Sequence, residues 1–216
     1  MIRLREMKLK GVCLAVIAHI VHLGVLLLPT FLLAGPLAIG RTAIGWPIVC
    51  FALGITAAGV LESVFLRPPV QASDISVQDR LALRVSLFVG IGLLAVFWAA
   101  QIEWLFYGRR LFAIQVIGAS ILASGIFLRV EAIRTLGTQF VTDIRVEGSI
   151  VRHGIYAWLR HPSEIGLLLI AIGGPLLLGS IFTAVAAAIL LLPTSAWRMV
   201  RENTALTEWQ RQNANP

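Results

Sequence analysis

Charge is what this sequence has least of. Only 13% of its 216 residues are Asp, Glu, Lys or Arg, and 58% are hydrophobic. An ordinary soluble domain carries about 25% charged residues. The deficit excludes a water-solvated surface over most of the chain. Cysteine is nearly absent. Cys13 and Cys50 both lie in apolar runs, which excludes a disulfide framework and a thiolate metal centre and leaves two small packing residues. Acids are scarcer than bases, 11 against 18, for a formal charge of +7. In a soluble protein that excess would suggest nucleic acid. Here the cations sit between apolar runs, and no basic stretch is interleaved with aromatics. They read as topology signals and contacts with anionic lipid headgroups, with no nucleic-acid partner. Internal repeats and low-complexity tracts are absent.

What is there is a series of six apolar runs: Val12–Leu33 with Pro29 near its end, Ala43–Leu66, Leu81–Ala100, Leu111–Leu128, Ile165–Leu178 and Ile181–Trp197. A helix needs about 20 apolar residues to cross a bilayer. Backbone polar groups in lipid must be satisfied within the segment, and runs without period-2 alternation are not barrel strands. The expected fold is therefore all-α, a polytopic membrane helical bundle of about six transmembrane helices. The last two runs are separated by Gly179 and Ser180, which predicts a C-terminal helical hairpin. The basic start MIRLREMKLK resembles a signal-peptide n-region, but the run behind it is long and lacks a small-residue cleavage site, so a retained first span is expected. With six spans and a cytoplasmic N-terminus, 15 of the 18 cations fall on the cytoplasmic side and Arg41, Arg109 and Arg110 fall outside. That bias fits the positive-inside rule and puts both termini in the cytoplasm, in a bacterial-type inner membrane or an endomembrane. The organisation reads as one integral membrane domain over 1–216, with four spans in 1–128 and a polar loop, hairpin and tail in 129–216.

The loop Arg129–Glu164 stands apart. It holds four of the eleven acids, five arginines and two of the four histidines. Long loops between packed spans are usually functional or disordered, and Phe140, Val141, Ile150, Tyr156 and Trp158 argue for order. At its end Gly154 permits a tight turn, and Pro162 suits the first position of the fifth helix. The free N–H groups and dipole of that helix start favour an anion, with Arg160 and His161 flanking the point. The residues alone support a second reading equally: Arg160 and His161 anchor the helix end to headgroups, and Glu164 only complements the helix start.

The stretch Gly154-Ile155-Tyr156-Ala157-Trp158-Leu159-Arg160-His161-Pro162-Ser163-Glu164-Ile165-Gly166 resembles the signature of the isoprenylcysteine carboxyl methyltransferase and phospholipid methyltransferase families. Gly154, Tyr156, Arg160, His161, Pro162 and Gly166 match in place. A hairpin follows, and Arg198, Glu202 and Leu206 match the terminal pattern. Leu136, Gly137 and Phe140 match upstream. Three positions depart from it: Ile155 replaces Pro, Glu164 replaces Tyr, and Asn203 replaces a second Glu.

The resemblance implies methyl transfer from S-adenosyl-L-methionine to a lipophilic small-molecule or prenylated acceptor at the cytosol–membrane boundary. An isoprenylcysteine-like carboxylate comes first, with a lipid amine or thiol beside it. The implied cofactor-binding set is His153, Gly154, Tyr156, Arg160, His161, Pro162 and Glu202, and the implied catalytic pair is Arg160 and Glu164. Arg160 and the helix-start N–H groups would hold the cofactor carboxylate, Glu202 its ribose hydroxyls or ammonium. Glu164 would serve as a base or recognise a cationic acceptor. Competing readings are a nicotinamide-dependent reductase of sterol-like lipids and a non-catalytic membrane protein.

Other marked residues carry smaller expectations. His19 and His22 share a helix face and read as helix–helix hydrogen-bonding groups rather than haem or metal ligands. Glu62 and Arg84 either line an acceptor cavity or snorkel. Glu103, Arg109 and Arg110 form an outer interfacial cluster with Trp104 and Tyr107. Gly118 and Gly125 predict close helix packing in the fourth span.

Overall fold

A computed structural model describes residues 17–34, 45–65, 77–107, 112–137 and 151–214. The helices are α1 (Ile17–Leu26), α2 (Leu28–Ala34), α3 (Gly45–Phe65), α4 (Val77–Tyr107), α5 (Phe112–Leu136), α6 (Pro162–Leu178) and α7 (Ile181–Ala214), with a 3-10 turn at Gly154–Ala157. No strand occurs among the described residues. Four helices contain stretches long and apolar enough to cross a membrane: Gly45–Glu62, Leu87–Tyr107, Phe112–Leu136 and Ile181–Thr204. Ile17–Leu26 and Pro162–Leu178 are shorter apolar helices. Large apolar side chains on the outside, among them Leu53, Phe88, Ile91, Phe127, Phe182 and Ile189, are exposed, as lipid-facing residues must be. Among the described residues the fold is all-helical, and the chain is an integral membrane protein.

Several boundaries differ from the sequence reading. The first eight residues of the expected loop, Arg129–Leu136, continue α5, because Glu131-Ala132-Ile133-Arg134 contains no breaker and Ala132 and Ile133 are fully buried. Gly137, at φ 53°, then ends the helix in the left-handed conformation. The helix α7 runs on past Trp197 to Ala214. The first apolar run is broken between α1 and α2. Pro29 has no N–H for the carbonyl of Val25, which accepts the Trp98 indole N–H at 2.9 Å instead. Gln101 fills the neighbouring gap. Its Nε2 donates to Leu26 O at 2.7 Å, and its Oε1 accepts from Thr30 Oγ1 at 2.7 Å. The N-terminal basic stretch, Cys13, Phe140, Arg109 and Arg110 lie outside the described residues.

The tightest packing joins α5 to antiparallel α6. A Cβ at Gly125 would stand 2.8 Å from Gly166 O, and one at Gly166 would stand 2.8 Å from Gly125 O. A Cβ at Gly173 would meet the Leu122 backbone N at 2.5 Å, and one at Gly118 would overlap the Leu176–Leu177 backbone. Small residues let backbones approach where lipid offers no hydrophobic drive between helices. The expectation for Gly118 and Gly125 holds, and their partners are Gly166 and Gly173. On the other side of α6, Gly174 makes room for Phe51 and Phe97, whose rings meet edge to face at 5.2 Å. Leu26, Ile48, Val96, Ile170, Leu177 and Ala187 complete that core.

At the end away from the loop, Gly179 (φ 79°) closes α6 and its N–H bonds Leu176 O at 2.9 Å. Ser180 Oγ donates to Ala100 O at 2.7 Å, and the Glu103 carboxylate accepts from the N–H of Phe182 and Thr183 and from Thr183 Oγ1. Glu103 therefore caps α7, and Trp104 packs on the core while Tyr107 is exposed; Arg109 and Arg110 of the expected outer cluster lie outside the described residues.

Glycine substitution separates the tight contact from open helix surface. Gly173→Val should destabilise the detergent-solubilised protein by about 1–3 kcal/mol or prevent folding, as overpacking does. Gly90→Ala, where an added Cβ meets nothing within 4 Å, should leave stability equal or higher. Paired thermal melts check both; equal losses would refute the close-packing role.

Candidate functional site

The start of α6 is built by three neighbours. Gly154 at φ 58° turns the chain so that its Cα faces Thr135 at the end of α5, where an added Cβ would lie 3.1 Å from the threonine side chain. Tyr156 N–H bonds His153 O at 3.2 Å, and Leu159 N–H bonds Ile155 O at 3.0 Å. This short turn delivers the chain to His161, the N-cap, and Pro162 at N1, as the sequence predicts. The first α6 bond closes from Ile165 N to His161 O at 3.1 Å. The amides of Ser163 and Glu164 precede it and have no intrahelical acceptor.

Two layers of charge lie at this helix start. In the outer layer, His161 Nδ1–H donates to Glu202 Oε2 at 2.9 Å and Nε2 faces Asn203 Oδ1 at 3.2 Å. The hydrogen bond to Glu202 raises the His161 pKa above its ordinary value; burial opposes this, and the charge of Glu202, the Asn203 contact and Glu164 add to it. One turn deeper, Glu164 Oε1 accepts from Arg198 Nη1 at 3.0 Å, and Glu164 is only 5% exposed. Beside it Arg129 pairs with Glu62 through Nε, and through Nη2 at 3.3 Å, and its Nη1 donates to Ser163 Oγ at 3.1 Å. On α7, Arg198 and Glu202 are four residues apart and share a face. Tyr156 feels both layers. Burial first, then the negative charge of Glu202, push its phenol pKa up; the Arg129 cation opposes them, and Glu164 adds a smaller rise.

The predicted residues divide accordingly. Tyr156, His161, Glu164 and Glu202 converge. Pro162 is buried at the helix start, and Gly154 supports the turn behind it. Arg160 and His153 are exposed at the rim, as are Arg152 and Trp158, the last 89% exposed. Glu62 meets Arg129 across helices, while Arg84 is exposed. His19 is half-buried with a partner of its own and His22 is exposed. Sequence reasoning missed Arg129, Ser163 and Arg198 as participants. Arg198 carried a signal in the motif, but Arg129 looked like one more loop cation.

The arrangement can hold a ligand bearing both charges. Helix-start amides and the rim Arg160 suit a carboxylate, and the partly exposed Glu202 suits an ammonium or hydroxyls. The half-buried Tyr156 adds a hydroxyl at the same point. The donor set therefore fits the amino-acid part of an amino-acid-bearing nucleoside.

Residues 116–208 match the isoprenylcysteine carboxyl methyltransferase family. Protein-S-isoprenylcysteine O-methyltransferase of Homo sapiens is 31% identical over 115 residues, 50% of this chain and 36% of the human protein. That of Tribolium castaneum is 39% identical over 66 residues, 29% of this chain and 24% of the beetle protein. That of Mus musculus is 30% identical over 115 residues, 50% and 36% of the two chains. The chain thus covers 36% or less of the length of these relatives. No solved structure matches.

The His161–Glu202 contact predicts a pH dependence. A raised folded pKa means the stabilisation is full below the ordinary histidine value and is lost as pH rises through the raised one. Unfolding temperature should fall over that window, and His161→Gln should flatten the slope. An unchanged slope in the variant would show that another group titrates there.

Proposed function

Because residues 116–208 are similar to the isoprenylcysteine carboxyl methyltransferase family, we propose that this protein transfers a methyl group from S-adenosyl-L-methionine to a lipophilic acceptor at the cytosol–membrane boundary. The observation that carries the reading is the cluster Tyr156, His161, Glu164 and Glu202 at the first turn of α6, matched residue by residue to the motif where the sequence conforms. Acceptors of the relatives' named kind, isoprenylcysteine carboxylates, are the first class to test, with lipid amines and thiols beside them. Supporting the topology, α1 with α2 and the short α6 complete six spans alongside the four long ones, with both ends cytoplasmic.

The cofactor supplies a methyl group already activated for in-line displacement. The chain's own residues have to bind, align and keep water out, and alignment can contribute about 7–11 kcal/mol to such a step. Arg160 and the Ser163 and Glu164 amides would hold the cofactor's carboxylate. Glu202 would accept from its ammonium or ribose hydroxyls, at the cost of loosening His161. Tyr156 keeps its proton and donates from the inner side of the site. Glu164, buried and paired with Arg198, is a positioning group here rather than a free base. A polar cofactor reaches the outer layer from the cytosol, and a lipophilic acceptor reaches the inner layer from the bilayer.

Calorimetry on the detergent-purified protein tests this. Wild type should bind S-adenosyl-L-methionine, and Arg160→Ala and Glu202→Ala should each weaken binding by about tenfold or more, the loss expected for a charge-assisted contact. A folded wild type that does not bind the cofactor, but does bind a nicotinamide nucleotide, would replace this reading with the reductase one.

A further inference from the structure

Position 164 departs from the tyrosine of the methyltransferase motif, and the structure gives its carboxylate a partner. Glu164 is nine-tenths buried and its Oε1 accepts from Arg198 at 3.0 Å. The adjacent Arg129 is held by Glu62 and by Ser163. These two arginines and two glutamates balance within one layer, one helical turn nearer the apolar body than His161. An acceptor arriving from the bilayer brings its polar end to this layer from the apolar side.

A carboxylate at that end would need an arginine, and each arginine already holds an internal carboxylate. Displacing Glu164 leaves it buried without its counter-ion, which is strongly unfavourable. A cationic end meets the mirror problem, since pairing with Glu164 strips Arg198. An uncharged end disturbs neither pair. A tyrosine at 164 would bring no charge to occupy Arg198.

We propose that Glu164 sets acceptor selectivity by occupying Arg198 as an internal carboxylate, so that the site takes a lipophilic acceptor whose reacting end is uncharged when it binds, a free-base amine, ahead of a carboxylate; the nitrogen lone pair forms the new N–C bond, the sulfonium's S–C bond breaks to leave a neutral thioether, and the ammonium formed gives its proton to water. This rests on the methyl-transfer reading and reverses the order of its acceptor classes. Glu164 acts through Arg198, so it is a positioning residue, and its signature is a change in headgroup preference rather than a general loss of binding.

The test uses the full chain in detergent and three probes with one farnesyl thioether tail, ending in a carboxylate, a primary amide or a trimethylammonium group. Binding is measured by calorimetry without cofactor. The amide should bind about tenfold or more tighter than either ion. Glu164→Gln and Glu164→Tyr should each tighten carboxylate binding relative to the amide by about tenfold. Wild type binding the carboxylate or the ammonium as tightly as the amide overturns the proposal, as does a folded Glu164 variant with unaltered carboxylate affinity. If neither variant folds, the wild-type order alone decides. If S-adenosyl-L-methionine binds and no probe does, the acceptor proposal falls and methyl transfer stands. If neither cofactor nor probe binds, both fall.

Discussion

The backbone contact between α5 and α6 sets the register of everything at the site. Gly118 and Gly125 on one helix, and Gly166 and Gly173 on the other, remove the Cβ atoms that would keep the helices apart. In lipid, burying apolar side chains against one another gains little, so close backbone approach and its dispersion contacts carry the association. Arg129 lies one turn beyond Gly125, and Ser163 lies three residues before Gly166. The same seam that brings the glycines together therefore brings Arg129 to Ser163 and to Glu62 of α3. A slip along the seam would separate the charges as well as the backbones.

The second organising device is electrostatic, and α7 carries it. Arg198 and Glu202 face Glu164 and His161 in the order that pairs each charge with its opposite. The two contacts fix both the rotation of α7 and its height against α6. They also account for the helix continuing past its apolar part, because the outer pair engages a residue that is already beyond the hydrophobic run. At the far end, Glu103 and Ser180 fix the other terminus of the same helix. The helix is thus held at both ends by polar contacts, with apolar packing between them.

Much of this was legible in the sequence. Composition and run length gave helices in a membrane, Gly179-Ser180 gave the tight connection between α6 and α7, Pro162 gave the start of α6, and the glycines gave close packing. Spacing along one helix shows which residues share a face, but not what that face meets. Glu164 and Arg198 are 34 residues apart, and Glu62 and Arg129 are 67 apart. Motif and position marked some of these residues singly, but neither pairing was visible until the helices were assembled. The capping role of Glu103 was hidden for the same reason, since its partners are amides 79 and 80 residues later. The continuation of α5 was missed because polarity was taken to mark a loop, whereas a polar stretch without a breaker continues a helix once Ala132 and Ile133 are buried.

The length of α6 explains why the inner charges must be paired. Its 17 residues rise about 25 Å, short of the roughly 30 Å of a typical hydrocarbon core. Taken as the fifth of the six proposed spans, it leaves the turn at Gly179 beside the start of α7, so its other end, with Glu164 and the amides above it, falls beneath the level that a full span would reach. An unpaired carboxylate at that depth would be costly, and so would a bare arginine. Closed pairs, water reaching in from the rim and local thinning of the bilayer make the position tenable. In the proposed reaction, the same geometry would let one helix start meet a water-borne ligand on one side and a lipid-borne one on the other. On that proposal, a longer α6 would lift the helix start into the headgroups and away from an acceptor held in the bilayer.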